Sequence, residues 1–167
     1  PVPRGARTTT DVKMHWEFTE GLRTRYFGGT SPQYQTDITT LAEGISNAGM
    51  KMEYILLDDC YMSTIEVAYD LKNVADYLIG CPTEILAYGM PYDEIGQYLI
   101  GNIDYESITE AFYNFYNNYK YEGTPAPYGT IGVTKCSEVD NLAAIMKEIN
   151  GKFTFDSSLL NSLQRMD

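Results

Sequence analysis

At 167 residues, with 44% apolar and 13% aromatic side chains, the chain is long enough to bury a core and too apolar to remain disordered. Its net charge of −11 argues against nucleic acid as a partner and fits basic peptides or plain solvation of an acidic body. No apolar run approaches the ~18 residues of a membrane span, and no signal peptide stands at the front. Three cysteines, an odd number, leave at least one thiol free, so cysteine usage fixes no compartment. The chain opens at Pro1 without Met, which reads as a processed or trimmed piece of something longer.

Residues 1–36 are rich in Gly, Thr, Pro, Arg and aromatics without a sustained period and read as an irregular, linker-like segment. Arg4, Arg7, Lys13, Arg23 and Arg25 gather there, either as an ordinary basic loop or as a place for proteolytic nicking. The core reads from 37 to 150, in one domain spanning 1–167. Ile38, Leu41, Ala42 and Ile45 recur at helical spacing from Asp37, a capping residue, to about Asn47, before Gly49. A strand from Glu53 to Asp59 follows, then a helix from about Ser63 to Val74 with Ile65, Ala68, Leu71 and Val74 on its core stripe. Tyr77 to Cys81 is a second strand, ended by Pro82, and this strand-helix-strand unit predicts a parallel pair. Past Pro91 a short helix carries Ile95, Tyr98 and Leu99. A longer one runs from about Tyr105 to Tyr119, with Ile108, Ala111, Phe112, Phe115 and Tyr119 on one face. Tyr121 to Tyr128 predicts a loop and Gly129 to Lys135 a strand. A helix then starts at Ser137 or Glu138 and reaches about Ile149, carrying Val139, Leu142, Ile145 and Met146. Residues 151–167 read as the start of a further segment, with a short strand at Phe153, Thr154 and Phe155 and a helix capped by Asp156. The fold class is α/β: a three-layer α/β/α sandwich with a mostly parallel sheet.

The stretch that carries chemistry runs from Tyr54 to Met62. Its apolar lead, Tyr54-Ile55-Leu56-Leu57, suits a strand covered on both faces. Ser63 and Glu66 have capping-box spacing, which predicts a helix beginning within a residue or two of the Cys60 thiol. Open α/β sheets bind ligands outside the carboxyl ends of their strands, and a helix N-terminus stabilises a thiolate. Cys60 is therefore a candidate nucleophile, with a buried, inert structural cysteine as the other reading. Alternation puts Asp58 on the same side as Cys60 and turns Asp59 away, where a hydrogen bond to a helix end is its ordinary role. Thr83 and Glu84, at the end of the next strand, neighbour the same cleft unless Pro-Thr-Glu only shapes a turn. Cys81 and Cys136 lack this setting. One histidine, His15, cannot build a common zinc site, and there is neither a phosphate-cradling glycine motif nor Cys-x-x-Cys. The acidic pairs Asp58-Asp59 and Asp93-Glu94 lack the spaced oxygens and Gly turn of a calcium loop. No cofactor is expected, and calcium activation has no site here to support it.

Asp58-Asp59-Cys60-Tyr61-Met62, the helix Ile65-Glu66-Val67-Ala68-Tyr69-Asp70-Leu71 and the segment from Ala75 to Ile85 resemble the clostripain family of cysteine peptidases. In that family the nucleophile lies in an Asp-Ala-Cys-x-Met run before Glu-Val-Ala-Tyr-Glu-Leu, and Ser-Pro-Thr-Glu follows. The match continues through Gly89-Met90-Pro91-Tyr92-Asp93, similar to Gly-Phe-Pro-Tyr-Asp, and back to Arg23-Thr24-Arg25-Tyr26-Phe27-Gly28. Asp59 replaces a small residue and Cys81 a Ser. The resemblance implies the caspase-like fold of clan CD and an endopeptidase cleaving after Arg or Lys. It further implies Cys60 as nucleophile, Asp58 lining the primary specificity pocket, and a histidine base. It also implies maturation by cleavage after a basic residue between histidine and nucleophile, for which Lys13 or one of the arginines is the candidate. The family's histidine sits in a His-Gly pair, whereas His15 precedes Trp16. The base is thus expected upstream of Pro1, on an N-terminal segment or companion chain that also brings strands beside Tyr54–Asp59. His15 is the second candidate. A secreted or cell-surface bacterial peptidase acting on peptides with basic residues is what the family implies. The alternative is a non-catalytic peptide-binding domain of the same fold that has lost its dyad.

Overall fold

The computed structural model describes residues 26–28 and 35–154. Arg4, Arg7, Lys13, His15, Arg23, Arg25, Phe155 and the helix expected after Asp156 lie outside those residues. Strands β1 (Tyr26–Gly28) and β2 (Gln35–Asp37) pair antiparallel and lead into α1 (Ile38–Asn47). The buried Asp37 carboxylate accepts the Thr40 N–H at 2.7 Å, so an amide that the first helical turn leaves unpaired solvates a desolvated charge. Gly49, at φ +68°, takes the left-handed conformation that lets the chain leave the helix, as the sequence predicts.

The sheet follows from alternation along two strands. Parallel β3 (Met52–Leu57) and β4 (Ala75–Gly80) are joined through α2 (Ile65–Leu71) and set in register with Leu56 beside Ile79. On β3, Leu57 points to the same face as Leu78 of β4, where Ile38, Val67, Ala68 and Leu71 close over them. Leu56 and Ile79 point the other way, toward Ile95, Ile108, Phe112 and Tyr116. Those last residues belong to α3 (Tyr92–Ile95), which a 3-10 turn over Gly96–Tyr98 continues, and to α4 (Tyr105–Asn117). Helices thus cover both faces, giving the three layers expected. Each fully buried Leu or Ile contributes about 1.5–3 kcal/mol relative to exposure, so this two-sided burial is what fixes the strand register.

The described sheet is mixed rather than wholly parallel. β7 (Gly132–Lys135) pairs antiparallel on the other edge of β4, giving the order β3-β4-β7. The chain enters β7 at the carboxyl end of β4, where Thr130 meets Thr83, and so must run the opposite way. A 3-10 turn over Cys136–Glu138 and helix α5 (Val139–Lys152) follow. Phe153 and Thr154 form no strand.

The predicted loop after Tyr121 contains a hairpin, β5 (Lys120–Tyr121) against β6 (Thr124–Pro125). Glu122 and Gly123 both take positive φ, +48° and +81°, as a primed two-residue turn requires. Two further expectations need correction. Helix α2 is shorter than Ser63 to Val74, and Ile65 is exposed while Val67 takes its place in the core. β3 is not covered on both faces throughout: Tyr54, Ile55 and Leu56 are half-buried and Met52 is exposed, because β3 is an edge of the described sheet.

Candidate active site

Strand β3 ends at Leu57, so Asp58 and Cys60 stand in a turn rather than on the strand that alternation supposed. Residue Tyr61, directly after Cys60, has φ +59°, a left-handed conformation costing a side-chain-bearing residue about 1–2 kcal/mol. Backbone bonds to the next strand's exit hold it there. The Tyr61 N–H donates to the Thr83 carbonyl at 2.8 Å, and the Ser63 N–H to the Cys81 carbonyl at 3.1 Å. Gly80 lies under this crossing, where a Cβ would be in ordinary contact, 3.4 Å from the Leu57 oxygen and the Ser63 nitrogen.

These bonds remove the capping box. Helix α2 begins at Ile65 with Thr64 as N-cap and no side-chain capping bond. Ser63 is committed by its backbone to Cys81, and its hydroxyl would lie 3.0 Å from a Cβ on Gly132. The helix therefore begins five residues after Cys60 rather than within one or two. Cys60, free and half-exposed, instead has its sulfur 3.4 Å from the Ile85 N–H donor and 3.5 Å from the Ile85 carbonyl oxygen. Asp59 accepts the Cys60 N–H at 2.7 Å and pins the turn, in place of the helix-end bond expected of it.

Asp58 sits in a cradle that side-chain patterns alone do not disclose. Its Oδ1 accepts the Met90 N–H at 2.9 Å, and the Tyr92 hydroxyl hydrogen-bonds the same carboxylate. Burial, then the Asp58 charge and that hydrogen bond, push the Tyr92 phenol up to about 12. Gly89, at φ +77°, lies so close that a Cβ would come within 2.8 Å of Asp58 Oδ2. The Tyr116 hydroxyl of α4 donates to the Gly89 carbonyl at 2.5 Å. The Gly-Met-Pro-Tyr run thus works as the wall behind Asp58. Gly89→Ala is expected to cost about 1–3 kcal/mol of stability from strain and collision together, measured by urea denaturation; an unchanged midpoint would contradict this packing.

Thr83 and Glu84 lie beside the turn with their polar groups engaged. The Thr83 and Thr130 hydroxyls are 2.6 Å apart, and the Tyr128 hydroxyl donates to Glu84 Oε2 at 3.1 Å. Cys81 and Cys136 are both buried. Burial, reinforced by the nearby Asp58 and Cys60, pushes the Cys81 thiol from 9.0 up to about 12. Burial also raises Tyr116 to about 12. For both groups the folded value lies above the unfolded one. Their stabilisation is fully present below the unfolded pKa and fades as pH climbs toward 12, because the unfolded chain releases protons the native state retains. The melting temperature should fall steeply between pH 9 and 12, less steeply in Cys81→Ser; a temperature independent of pH there would refute it. Among the described residues no group of three or more His, Cys, Asp or Glu side chains is placed to hold a metal ion, and no helix is long and apolar enough to cross a membrane.

Sequence and structure comparisons bear on this site. The profile of the Clostripain family matches residues 30–159. A crystal structure of a clostripain from Bacteroides thetaiotaomicron, in complex with the peptide inhibitor BTN-VLTK-AOMK, is 69% identical with a TM-score of 0.77, over 85% of this chain and 61% of that one. A secreted cysteine protease of the same organism, iotapain, is 65% identical with a TM-score of 0.78, over 93% of this chain and 43% of that one. A cysteine protease of B. fragilis is 29% identical with a TM-score of 0.66, over 79% of this chain and 58% of that one. The chain therefore spans about three fifths or less of each of these structures. No curated protein sequence matches significantly.

Proposed function

The chain belongs to the clostripain family of cysteine peptidases, and from that premise we propose that it is the nucleophile-bearing part of a cysteine endopeptidase that cleaves after arginine or lysine. The observation that carries this reading is the Cys60 thiol: half-exposed at the carboxyl end of β3 and two residues from the Asp58 carboxylate, while the other two thiols are buried.

In the proposed reaction a histidine takes the Cys60 proton and the sulfur attacks the scissile carbonyl carbon. As the carbon–sulfur bond forms, the carbon–nitrogen bond breaks, and the imidazolium returns the proton to the leaving amine. Water, deprotonated by the same imidazole, then hydrolyses the thioester and restores the thiol. No step needs a cofactor. We assign the base to a segment N-terminal to Pro1 or to a companion chain, with His15 as the second candidate. Two features support a further segment: the relatives run beyond the span matched here, and β3 has one edge unpaired among the described residues. Maturation would then be a cut after a basic residue of the linker, Lys13 or one of Arg4, Arg7, Arg23 and Arg25.

Basic specificity rests on Asp58. Asp58 is an exposed residue whose carboxylate is held from behind by Met90, Tyr92 and Gly89, and its remaining acceptor positions could pair a cationic side chain. The peptide inhibitor of the clostripain relative, VLTK, ends in lysine, which fits. Thr83 and Glu84 border the same cleft. Secretion, stated for iotapain, is expected here too. The test is hydrolysis of peptidyl-arginine, peptidyl-lysine and peptidyl-alanine amides by the complete enzyme. Cleavage after the basic residues, abolished by thiol alkylation, is expected, and no preference for them would sink the reading.

A further inference from the structure

We propose that the backbone of Ile85 is the positioning group for the Cys60 sulfur, braced by Thr83, Glu84, Tyr128 and Thr130; this rests on Cys60 being the nucleophile. The Ile85 N–H donates to Sγ at 3.4 Å, and Sγ lies 3.5 Å from the Ile85 carbonyl oxygen. One peptide residue thus serves both forms of the side chain. The neutral thiol can give its S–H to the carbonyl, and the thiolate keeps the amide donor. Because α2 starts only at Ile65, its first-turn amides do not supply this contact, and the strand exit takes over the role.

The segment carrying Ile85 is tied down on three sides. Its Thr83 carbonyl accepts the Tyr61 N–H at 2.8 Å, from the left-handed residue that follows the nucleophile. The Thr83 hydroxyl meets Thr130 at 2.6 Å, and Glu84 accepts the Tyr128 hydroxyl at 3.1 Å. Tyr128 and Thr130 flank Gly129, at φ +99°, where a Cβ would lie 3.4 Å from the Phe112 ring of α4. The brace therefore runs from the Tyr128–Thr130 segment through Thr83 and Glu84 to the sulfur. Thr83 and Glu84 act in it through Ile85 as positioning residues.

The amide can be deleted alone. Ile85→Pro removes the N–H and keeps the carbonyl, whereas Ile85→Ala keeps both. In the complete enzyme, the rate of iodoacetamide alkylation against pH reads the Cys60 thiolate directly, with peptide mapping to locate the label. Ile85→Ala should keep the wild-type acid limb. Ile85→Pro should move it up, with alkylation below the limb roughly ten- to hundredfold slower. A folded Ile85→Pro with an unmoved limb overturns the proposal. If that variant does not fold, Tyr128→Phe/Thr130→Val decides: an upward limb with kcat lowered and KM kept supports the brace, and an unmoved limb overturns it. Label on Cys81 or Cys136 would overturn the nucleophile assignment and this inference with it. Label on Cys60 with an unmoved limb overturns the inference alone.

Discussion

Replacing Cys60 by Ala in the complete enzyme is expected to lower hydrolysis of arginyl and lysyl peptide bonds by about four orders of magnitude or more, the scale on which covalent nucleophiles act. The substitution should leave the fold nearly untouched, because Cys60 is half-exposed and its backbone N–H bond to Asp59 does not need the thiol. A melting temperature close to wild type alongside lost turnover would separate chemistry from stability. Cys81→Ser and Cys136→Ser are expected to keep turnover, since those sulfurs are buried. Near-wild-type hydrolysis by Cys60→Ala would remove the basis of the assignment.

The second large effect is expected at Asp58. Asp58→Asn keeps an oxygen to accept the Met90 N–H, so the cradle built by Gly89, Met90 and Tyr92 can persist while the charge disappears. What remains is the loss of a charge facing a cationic side chain, and truncating one partner of such a pair costs roughly 2–5 kcal/mol. We expect the preference for arginyl over alanyl substrates, as a ratio of kcat/KM, to fall by about a hundredfold. The loss should lie mostly in discrimination rather than in the acylation of small uncharged substrates. An unchanged ratio would show that another group reads the basic residue.

Particular residues show how far the sequence reaches. The first helix was legible because its signals are local: Asp37 caps it and Gly49 ends it within a few residues of the apolar stripe. The β3, α2, β4 unit and the three-layer class were legible from the apolar runs and their helices, and the resemblance around Cys60 sharpened that class to the caspase-like fold that the relatives support. The start of α2 was not, because Ser63 and Glu66 carry a capping signal that the backbone bond from Ser63 to Cys81 overrides. The hairpin at Glu122-Gly123 escaped notice because glutamate is a poor marker of a positive φ. The direction of β7 depends on where a long excursion through α3 and α4 returns, which periodicity does not encode. At the site, the strand-turn-helix pattern singles out Cys60 as a candidate, and the resemblance implies the role of Asp58. Ile85 contributes only backbone atoms from 25 residues away, and Gly89 contributes the absence of a side chain. Neither leaves a chemical signature in a single sequence.

The central claim, that Cys60 is the nucleophile of a peptidase selective for basic residues, is tested most directly by covalent capture. The complete enzyme would be treated with an irreversible thiol-reactive peptidyl-lysine probe, digested, and mapped by mass spectrometry, beside a peptidyl-alanine control. The account predicts stoichiometric adduct on the peptide containing Cys60, formed much faster with the lysyl probe and absent in Cys60→Ala. Adduct on Cys81 or Cys136, or no adduct from a folded and complete enzyme, would contradict it and favour a peptide-binding domain without catalysis.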